Sequence, residues 1–409
     1  MKCLRFAIFS LGGIAIGVLS AQAQQIPDLT VGNYKVQFHA FASQGYAYTN
    51  DNNWLTMNTS DGSAAMTDFG VNATVQLNDK LRIGAQFYDR NIGHLGQWSP
   101  EFDWGFADYR VKDWLGFRGG KVKTVLGLYN DTQDLDFLHT FAFLPQSVYP
   151  TDLRDSTIAH TGGDVYGTIS AKKAGSFAYT LYAGHREDSP YGGYPYYLKD
   201  VGIDFSSYGG LQYGTDLRWN TPVAGLTVGA SGMKENITGT GTSTIFGPPT
   251  PYAEHSKNDT TDQFYGEYVH GNLRLDTEYR RYLRDQDIFN NAGDIYTDTR
   301  GWYGAAAYRI SKRFELGGYY SRFTSAYTTN IFGSTGASLD TSIPGNHIFD
   351  KVLCVRFDAT SFWNVKLEGH FMNGNDSTGE YPDGFYNGVN PNGFKPNTIA
   401  FVARTGVNF

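Results

Sequence analysis

The sequence predicts an all-β protein, a single antiparallel barrel of sixteen strands that spans a membrane. Three observations lead to this fold class. Runs of about ten residues alternate between apolar and polar side chains, aromatic residues make up 16% of the chain, and charged residues make up only 18%. Soluble domains carry about 25% charged residues, and alternation with period two is typical of a strand with one apolar face. Since no later segment approaches the roughly 20 apolar residues of a spanning helix, strands are predicted to cross the membrane.

The first 23 residues have the pattern of a secretory signal peptide. Two basic residues precede an apolar stretch at 6–19, and Ala-Gln-Ala at 21–23 forms a cleavage site. A membrane anchor is the alternative, but the stretch is short and no basic flank follows it. Residues 24–33 are predicted to form a short N-terminal segment, and 34–409 the barrel. Cleavage would leave Cys354 as the remaining cysteine, so the mature chain is predicted to lack an internal disulfide.

The barrel region is predicted to consist of hairpins. Residues 69–77 alternate between apolar and polar side chains, turn at Asn78-Asp79, and alternate again through 81–90. Further hairpins of the same pattern are predicted at 165–183, 211–230, 264–279, 302–320 and 353–371.

Short turns and longer polar loops alternate along the chain. Short turns are predicted near residues 79, 113, 175, 223, 272, 312 and 361. Longer loops are predicted at 49–66, 91–100, 124–161, 186–208, 237–260, 284–299, 324–348 and 374–397. Seven turns and eight loops connect sixteen strands, which is the layout of a bacterial outer-membrane barrel, and eighteen strands is the nearest alternative count.

A secreted β-sandwich or a parallel β-helix would also alternate, and three features favour the barrel. The polar faces hold many Gly, Gln, Asn and Arg residues, which suits a wet lumen. The last strand alternates from Ile399 to a terminal Phe409, an ending that resembles the assembly signal of outer-membrane barrels. Aromatic residues cluster at strand ends, as interfacial girdles require. They include Tyr34, Phe69, Phe87, Trp219, Trp302, Tyr308 and Phe401.

The most specific pattern is the stretch at 118–149, RGGKVKTVLGLYNDTQDLDFLHTFAFLPQSVY. Together with FHAFASQGYAYTNDNN at 38–53, it resembles a family of Gram-negative outer-membrane porins related to the phosphate-selective porins. The resemblance implies a sixteen-stranded barrel, usually a homotrimer, whose third loop folds inward and narrows the pore. Loop 124–161 is the third and longest loop here. The chain lacks the dense Arg and Lys ladder of the strictly phosphate-selective members.

The lumen is predicted to hold a charged constriction. Its loop residues are Asp131, Asp134, Asp136, Asp152, Arg154 and Asp155, and its wall residues are Arg82, Arg90, Arg118, Arg274, Arg280 and Arg356. Lys121 and Lys123 are predicted to join them through a bulge at Gly119-Gly120. Some of these basic residues could instead bridge acids on neighbouring strands, such as Glu278 and Glu368. An acidic loop that faces a basic wall across a gap would set up a field that tunes ion preference.

These patterns predict a passive outer-membrane channel for small hydrophilic solutes and ions. Its expected partners are membrane lipid, those solutes and two further copies of the chain. No catalytic residue, metal, cofactor or nucleic-acid partner is predicted. A channel specific for an anionic solute is one alternative, and a secreted adhesion protein that stacks sugars on Tyr191, Tyr194, Tyr196 and Tyr197 is another.

An outer-membrane hydrolase is a further alternative. His139, His160 and Ser156 lie near several aspartates in the sequence, but they have no nucleophile-elbow context.

Overall fold

The structure, a computed structural model, describes residues 28–331, 333–338, 342–376 and 384–409. The predicted signal peptide, residues 1–23, and the first part of the predicted N-terminal segment, up to residue 27, lie outside the described residues. Residues 29–31 form a short strand beside the start of the barrel.

The regular secondary structure of the described chain is almost entirely β-strand. Its strands, numbered along the chain, are β1 (Leu29–Val31), β2 (Tyr34–Thr49), β3 (Met66–Gln76), β4 (Leu81–Ile92), β5 (Glu101–Lys112), β6 (Leu115–Lys123), β7 (Ala159–Ser170), β8 (Ser176–Glu187), β9 (Ile203–Asn220), β10 (Leu226–Ser243), β11 (Thr250–Ser256), β12 (Asp259–His270), β13 (Leu273–Ile288), β14 (Gly293–Arg309), β15 (Phe314–Ile331), β16 (Ser334–Ser338), β17 (His347–Asp358), β18 (Trp363–Gly374) and β19 (Asn397–Asn408). An α-helix, α1 (Gly193–Asp200), lies in one of the loops. Among the described residues, no helix is long and apolar enough to cross a bilayer.

Sixteen of the strands in the described part of the chain form a closed antiparallel barrel, as the sequence predicted. Each pairs with its neighbours along the chain, while the short strands β1, β11 and β16 lie beside the ring. The seam joins β19 to β2 from Ala400 opposite Thr49 to Asn408 opposite Phe41. A barrel closed in this way has no unpaired edge, so its backbone groups are satisfied between strands.

Alternation separates two faces of the barrel wall. In β17, Leu353 and Val355 are exposed, while Val352 and Cys354 are buried on the enclosed side. The seven aromatic residues that the sequence placed at strand ends are all exposed, but only Tyr34, Trp219 and Tyr308 lie at the end of a strand, while the other four lie within strands. The outer face is therefore apolar, and the enclosed face carries most of the polar and charged side chains.

The seven short turns lie where the sequence predicted them, but several predicted loops are partly strand. The predicted loop 284–299 is a four-residue turn, because β13 and β14 stay paired up to Ile288 opposite Gly293. Phe289, Asn290 and Asn291 adopt positive φ angles in this turn. Asn tolerates this left-handed conformation, which permits so tight a reversal.

The predicted loops 237–260 and 324–348 also contain strand, since β10 and β15 extend into them and β11 and β16 fold back. These extensions could not be recognised from the sequence because their residues are polar, and a strand beyond a bilayer needs no apolar outer face. Their inner side is packed: Ile237 and Tyr252 are buried together with Tyr194 of α1 and Tyr208. Tyr194, which the adhesion alternative placed on a sugar-binding surface, is thus a core residue, while Tyr191 is exposed.

Phe409, directly after β19, is predicted to support closure of the barrel. The Phe409 amide donates to the Ala40 carbonyl at 2.8 Å, and its ring stacks on Phe362 with centroids 5.7 Å apart. We expect Phe409→Asp to reduce the yield of folded barrel, measured as the protein fraction whose gel migration changes on boiling. Phe246→Asp, at an exposed loop tip, is the matched control. Equal yields for the two variants would contradict this role.

Candidate channel constriction

The segment 124–158 connects β6 to β7 and lies against the enclosed face of the wall. It consists of irregular chain with short 3₁₀ turns at Asn130–Thr132, Asp136–Leu138 and Arg154–Ser156. Its contacts reach strands all around the barrel, from β4 to β19. An irregular segment in such a place needs partners for its backbone groups, because neither sheet nor helix supplies them.

Wall side chains supply those partners. Glu278 accepts the Leu128 amide at 3.0 Å, and Glu368 accepts the Ala142 amide at 2.8 Å. Basic residues bind the carbonyl groups of the segment. They are Arg90 on Thr151, Arg218 on Gly127, Arg280 on Val148, Arg356 on His139, Arg404 on Ala142, and Lys366 on Asp136 and Phe141. The wall therefore clamps the segment through its main chain.

Arg154 is the centre of a buried ion-pair cluster. Its guanidinium contacts Asp134 and Asp103, and it lies 3.5 Å from Asp155. Lys123 lies 2.7 Å from Asp134 on the other side. Burial alone would raise the pKa of Asp134, but the two cations outweigh it and hold the pKa well below its usual range. The carboxylate is therefore charged and fully compensated.

A second ion-pair cluster fixes the middle of the segment. Asp136 lies 2.9 Å from Lys366 on β18 and 3.3 Å from Arg404 on β19. These cations lower the pKa of Asp136 in spite of the opposing effect of burial. Near the end of the segment, Asp155 lies 3.1 Å from Arg90.

Asp152 has a different environment. Its carboxylate is fully buried and accepts hydrogen bonds from the Tyr386 hydroxyl and the Gly384 amide. Burial raises the pKa of Asp152, although these hydrogen bonds oppose the effect. The residue links the segment to Gly384 and Tyr386 rather than to the barrel wall.

Apolar side chains pack the segment on the wall. Phe141 and Leu144 lie in a buried cluster with Tyr319, Val352 and Cys354. Phe143 packs edge-on against Trp54 of the first loop, with centroids 5.2 Å apart. Leu138 is exposed, so the apolar side chains of the segment do not all serve this purpose.

Two glycines permit the close approach. Gly127 has a positive φ angle, and a side chain there would strike Gln263 and Glu278 of the wall. A side chain at Gly301 of β14 would strike the Ser147 carbonyl. Sequence reasoning missed both positions, as it missed Asp103, because nothing local to them indicates a partner far along the chain.

Two small cavities lie beside the segment. A cavity of about 60 Å³ lies between the segment and a wall that includes Arg186, Glu235 and Arg280. Another of about 50 Å³ lies beside Tyr88 and Arg404. Both are far smaller than the cavity of about 410 Å³ near Arg313 at the short-turn end.

The predicted site residues divide into those that meet the segment and those that do not. Arg90, Lys123, Arg280 and Arg356 contact it directly, and Arg274 donates to the Tyr129 hydroxyl at 2.6 Å. Arg118 pairs with Asp164 at 3.3 Å, and Arg82 pairs with Asp108 at 3.1 Å near a short turn. Asp131 forms no ion pair within the described residues.

The expectation that Lys121 joins this cluster is wrong. Its ammonium donates to the Phe102 carbonyl at 2.7 Å, in a half-buried position away from the aspartates. The predicted bulge at Gly119-Gly120 is absent, since β6 pairs with β7 in continuous register, and Lys121 lies opposite the exposed Thr161. The carboxylates of Asp134, Asp136 and Asp155 also touch their basic partners, so they do not face them across the open gap that the sequence suggested.

The histidines and Ser156 do not form a catalytic arrangement. Ser156 donates to Asp188 at 2.6 Å, and His160 contacts Thr124 and Asp164. His139 contacts the Thr132 carbonyl. Within the described ranges, no group of three or more His, Cys, Asp or Glu residues is placed to hold a metal.

Known structures share this architecture. OmpT, an outer membrane protein of Vibrio cholerae, has 14% identity and a TM-score of 0.56, with 94% of this chain and 100% of that chain covered. OmpF of Salmonella typhi, in complex with daunomycin, has 13% identity and a TM-score of 0.55 over 94% and 100%. The fold is that of a porin.

An anion-selective porin from Comamonas acidovorans matches as well, with 12% identity and a TM-score of 0.54 over 92% of this chain and 100% of that one. One further OmpT structure is a trimer form. No family model matches the sequence, and the search of curated proteins finds no match. The relation to the phosphate-selective porins stays a prediction.

Removal of Arg154 is expected to release the segment. Arg154→Gln leaves the carboxylates of Asp103 and Asp134 buried without a full counter-charge, which costs about 3–5 kcal/mol. We expect protease cleavage within 131–155 to become roughly a hundredfold faster or more, since 1.4 kcal/mol corresponds to about tenfold. Asp131→Asn, at a residue without an ion pair in the described chain, is the control. Equal cleavage of the two variants would refute the anchoring role.

Acid is expected to loosen the segment in two steps. Burial lowers the pKa of His139 from 6.5 to about 4, so the unfolded chain binds this proton first and stability falls as pH drops from 6.5 to 4. The lowered pKa values of Asp134 and Asp136 keep their contribution intact above 3.8, and it is lost only as pH falls below that value. In a plot of the thermal midpoint against pH, His139→Gln should lack the decrease between pH 6.5 and 4 and keep the decrease below pH 3.8. Superimposable pH profiles for His139→Gln and the unchanged protein would contradict this assignment.

Proposed function

We propose that the protein is a channel in the outer membrane of a Gram-negative bacterium, through which small hydrophilic solutes and ions diffuse passively. The observation that carries the proposal is the wall-clamped segment 124–158 inside a closed barrel of the porin fold. The segment narrows the lumen, and polar and charged side chains line what remains. The apolar outer face is suited to lipid contact.

The charges of the segment and of the wall lie in contact, so they do not set up the field across an open gap that the sequence predicted. Most basic wall residues that meet the segment bind its carboxylates or carbonyl groups. Their charge therefore fixes the constriction in place, and the solute meets a nearly neutral, hydrogen-bonded surface. Such a lining favours small hydrated solutes over apolar ones.

A channel specific for an anionic solute is the second candidate. It is favoured by Arg280, which borders the cavity of about 60 Å³ beside the segment. The anion-selective porin among the matches agrees with this candidate, which requires basic charge in excess at the narrowest point. Reversal potentials in a salt gradient would separate the two candidates.

We further propose that three copies of the chain assemble as a trimer and that the chain catalyses no reaction. The trimer form of OmpT supports the first proposal. The second is supported by Ser156, which donates to Asp188 instead of to either nearby histidine.

Deletion of residues 131–155 is expected to raise single-channel conductance in planar bilayers, because the deletion removes the constriction. These residues include five Asp and one Arg, a net charge of −4. Their loss exposes Arg90, Lys366 and Arg404, so the reversal potential should move toward anion preference.

Deletion of the exposed loop tip 244–249, which lies between β10 and β11, is the matched control for the conductance measurement. Gel migration before and after boiling would verify that both variants form barrels. Unchanged conductance and selectivity after deletion of 131–155 in a folded barrel would contradict the proposed constriction.

A further inference from the structure

Four basic side chains lie together on neighbouring strands of the apolar outer face of the barrel. Arg281 and Arg300 follow the strand alternation of the exposed Tyr279 and Trp302, and Arg322 lies opposite Trp302. Lys351 alternates with Leu353, which is 68% exposed. All four therefore point away from the lumen, on the neighbouring strands β13, β14, β15 and β17.

The register makes them one cluster. Arg281 lies directly opposite Arg300, which is diagonal to Arg322, and Arg322 is diagonal to Lys351. Opposite residues lie about 5 Å apart and diagonal ones about 7–8 Å, within reach of long side chains. Like charges in opposite positions repel, so an anion bound between these side chains would stabilise the cluster.

Acidic residues of the protein neutralise only part of this positive charge. Arg281 and Arg300 share Asp298, at 2.8 and 2.7 Å. The Arg322 guanidinium lies 4.2 Å above the Phe349 ring. Neither Arg322 nor Lys351 forms an ion pair with any described residue. Asp262 lies opposite Arg281, so the uncompensated positive charge is concentrated at Arg322 and Lys351.

The flanking aromatic rings indicate the level of the cluster in the membrane. Trp302 and Tyr320 pack edge-on, with centroids 5.6 Å apart, directly beside the basic residues. Trp and Tyr prefer the interface between hydrocarbon and headgroups. Basic side chains on a lipid-facing strand are tolerated at that level and are costly at the bilayer centre. The cluster is thus suited to contact headgroups.

A shallow apolar groove adjoins the cluster on the outer face. Small residues form its floor, and Tyr320, Leu353 and Phe371 form its walls, with Lys351 at its rim. The floor includes Gly304, where an added side chain would meet no atom within 4 Å. This shape accommodates an acyl chain whose headgroup lies at Lys351.

We propose that the groove and the basic cluster form a binding site for an acylated lipid whose headgroup carries phosphate. The phosphate lies between Arg322 and Lys351, and one acyl chain occupies the groove over Gly304. The site rests on the proposed membrane location and is independent of channel activity. Phosphate is the matching headgroup because Arg and Lys both bind its oxygens with charge-assisted hydrogen bonds.

Native mass spectrometry of the purified mature barrel would test this site. The probes are dipalmitoyl phosphatidic acid and dipalmitoyl phosphatidylcholine, which share their acyl chains and differ in headgroup charge. We expect phosphatidic acid to bind at least about tenfold tighter. Inorganic phosphate at millimolar concentration should not displace it, because free phosphate gains nothing from the groove.

Three variants separate the parts of the site. The double variant Arg322→Gln with Lys351→Gln should bring phosphatidic acid to within about twofold of phosphatidylcholine. Gly304→Leu fills the groove, keeps every charge, and should weaken both lipids. Lys234→Gln is the matched control, since Lys234 is also exposed on the outer face but lies on β10, opposite Thr260 and Tyr213. It should leave the preference unchanged.

Equal binding of the two lipids to the unchanged protein would overturn the proposal. So would a preference that survives in the double variant, or displacement of phosphatidic acid by inorganic phosphate, which would indicate a site for the free ion. Gel migration before and after boiling verifies the barrel in each variant. A barrel that shows the lipid preference but no conductance would refute the channel alone.

Discussion

An irregular segment enclosed by a barrel must find a partner for each buried backbone group, and the constriction depends on this requirement. The wall of this protein meets it with long charged side chains. Glutamates accept hydrogen bonds from amides of the segment, and arginines and a lysine donate hydrogen bonds to its carbonyl groups. Charged groups make stronger hydrogen bonds than neutral ones, so a few residues can hold a segment that lacks regular structure.

The same requirement explains why the carboxylates of the segment lie in contact with the wall. A charge that leaves water must be compensated nearby, and Arg154, Lys366 and Arg404 compensate Asp134 and Asp136 directly. Asp152 and Glu278 have no such cation in the described part of the chain, and hydrogen bonds from hydroxyl, amide and backbone N–H groups stabilise them instead.

The fold could be predicted from the sequence because the alternation of apolar and polar residues is visible in each strand separately. Alternation in the strands and the seven short turns predicted sixteen strands, and the alternation of the last strand is confirmed by β19, which pairs with β2. The loops were harder: β13 and β14 extend through residues that look like polar loop, since a strand above the bilayer has no need of an apolar stripe. A tight turn at Asn290 and Asn291 replaces the predicted loop.

The candidate site was accessible only in part. Asp134, Asp136 and Arg154 were recognisable as an unusual run of charges in the third long loop. Their pairing was not, because Asp103 lies on β5 and Lys366 and Arg404 lie on β18 and β19, and the path of the segment decides which of them it meets. Lys121 shows the converse: β6 pairs with β5 and β7 without a register shift at Gly119 and Gly120, so Lys121 follows the outward alternation of Phe117.

The central claim, that side chains of the wall clamp the backbone of the segment 124–158, is tested most directly by amide hydrogen exchange of the folded barrel. Exchange rates report the free energy of local opening. The account predicts that the amides of Leu128, Ala142 and Phe143, which donate to Glu278 and Glu368, exchange at least about a hundredfold more slowly than those of the exposed tip 244–249. Equal exchange rates in the two segments would contradict it.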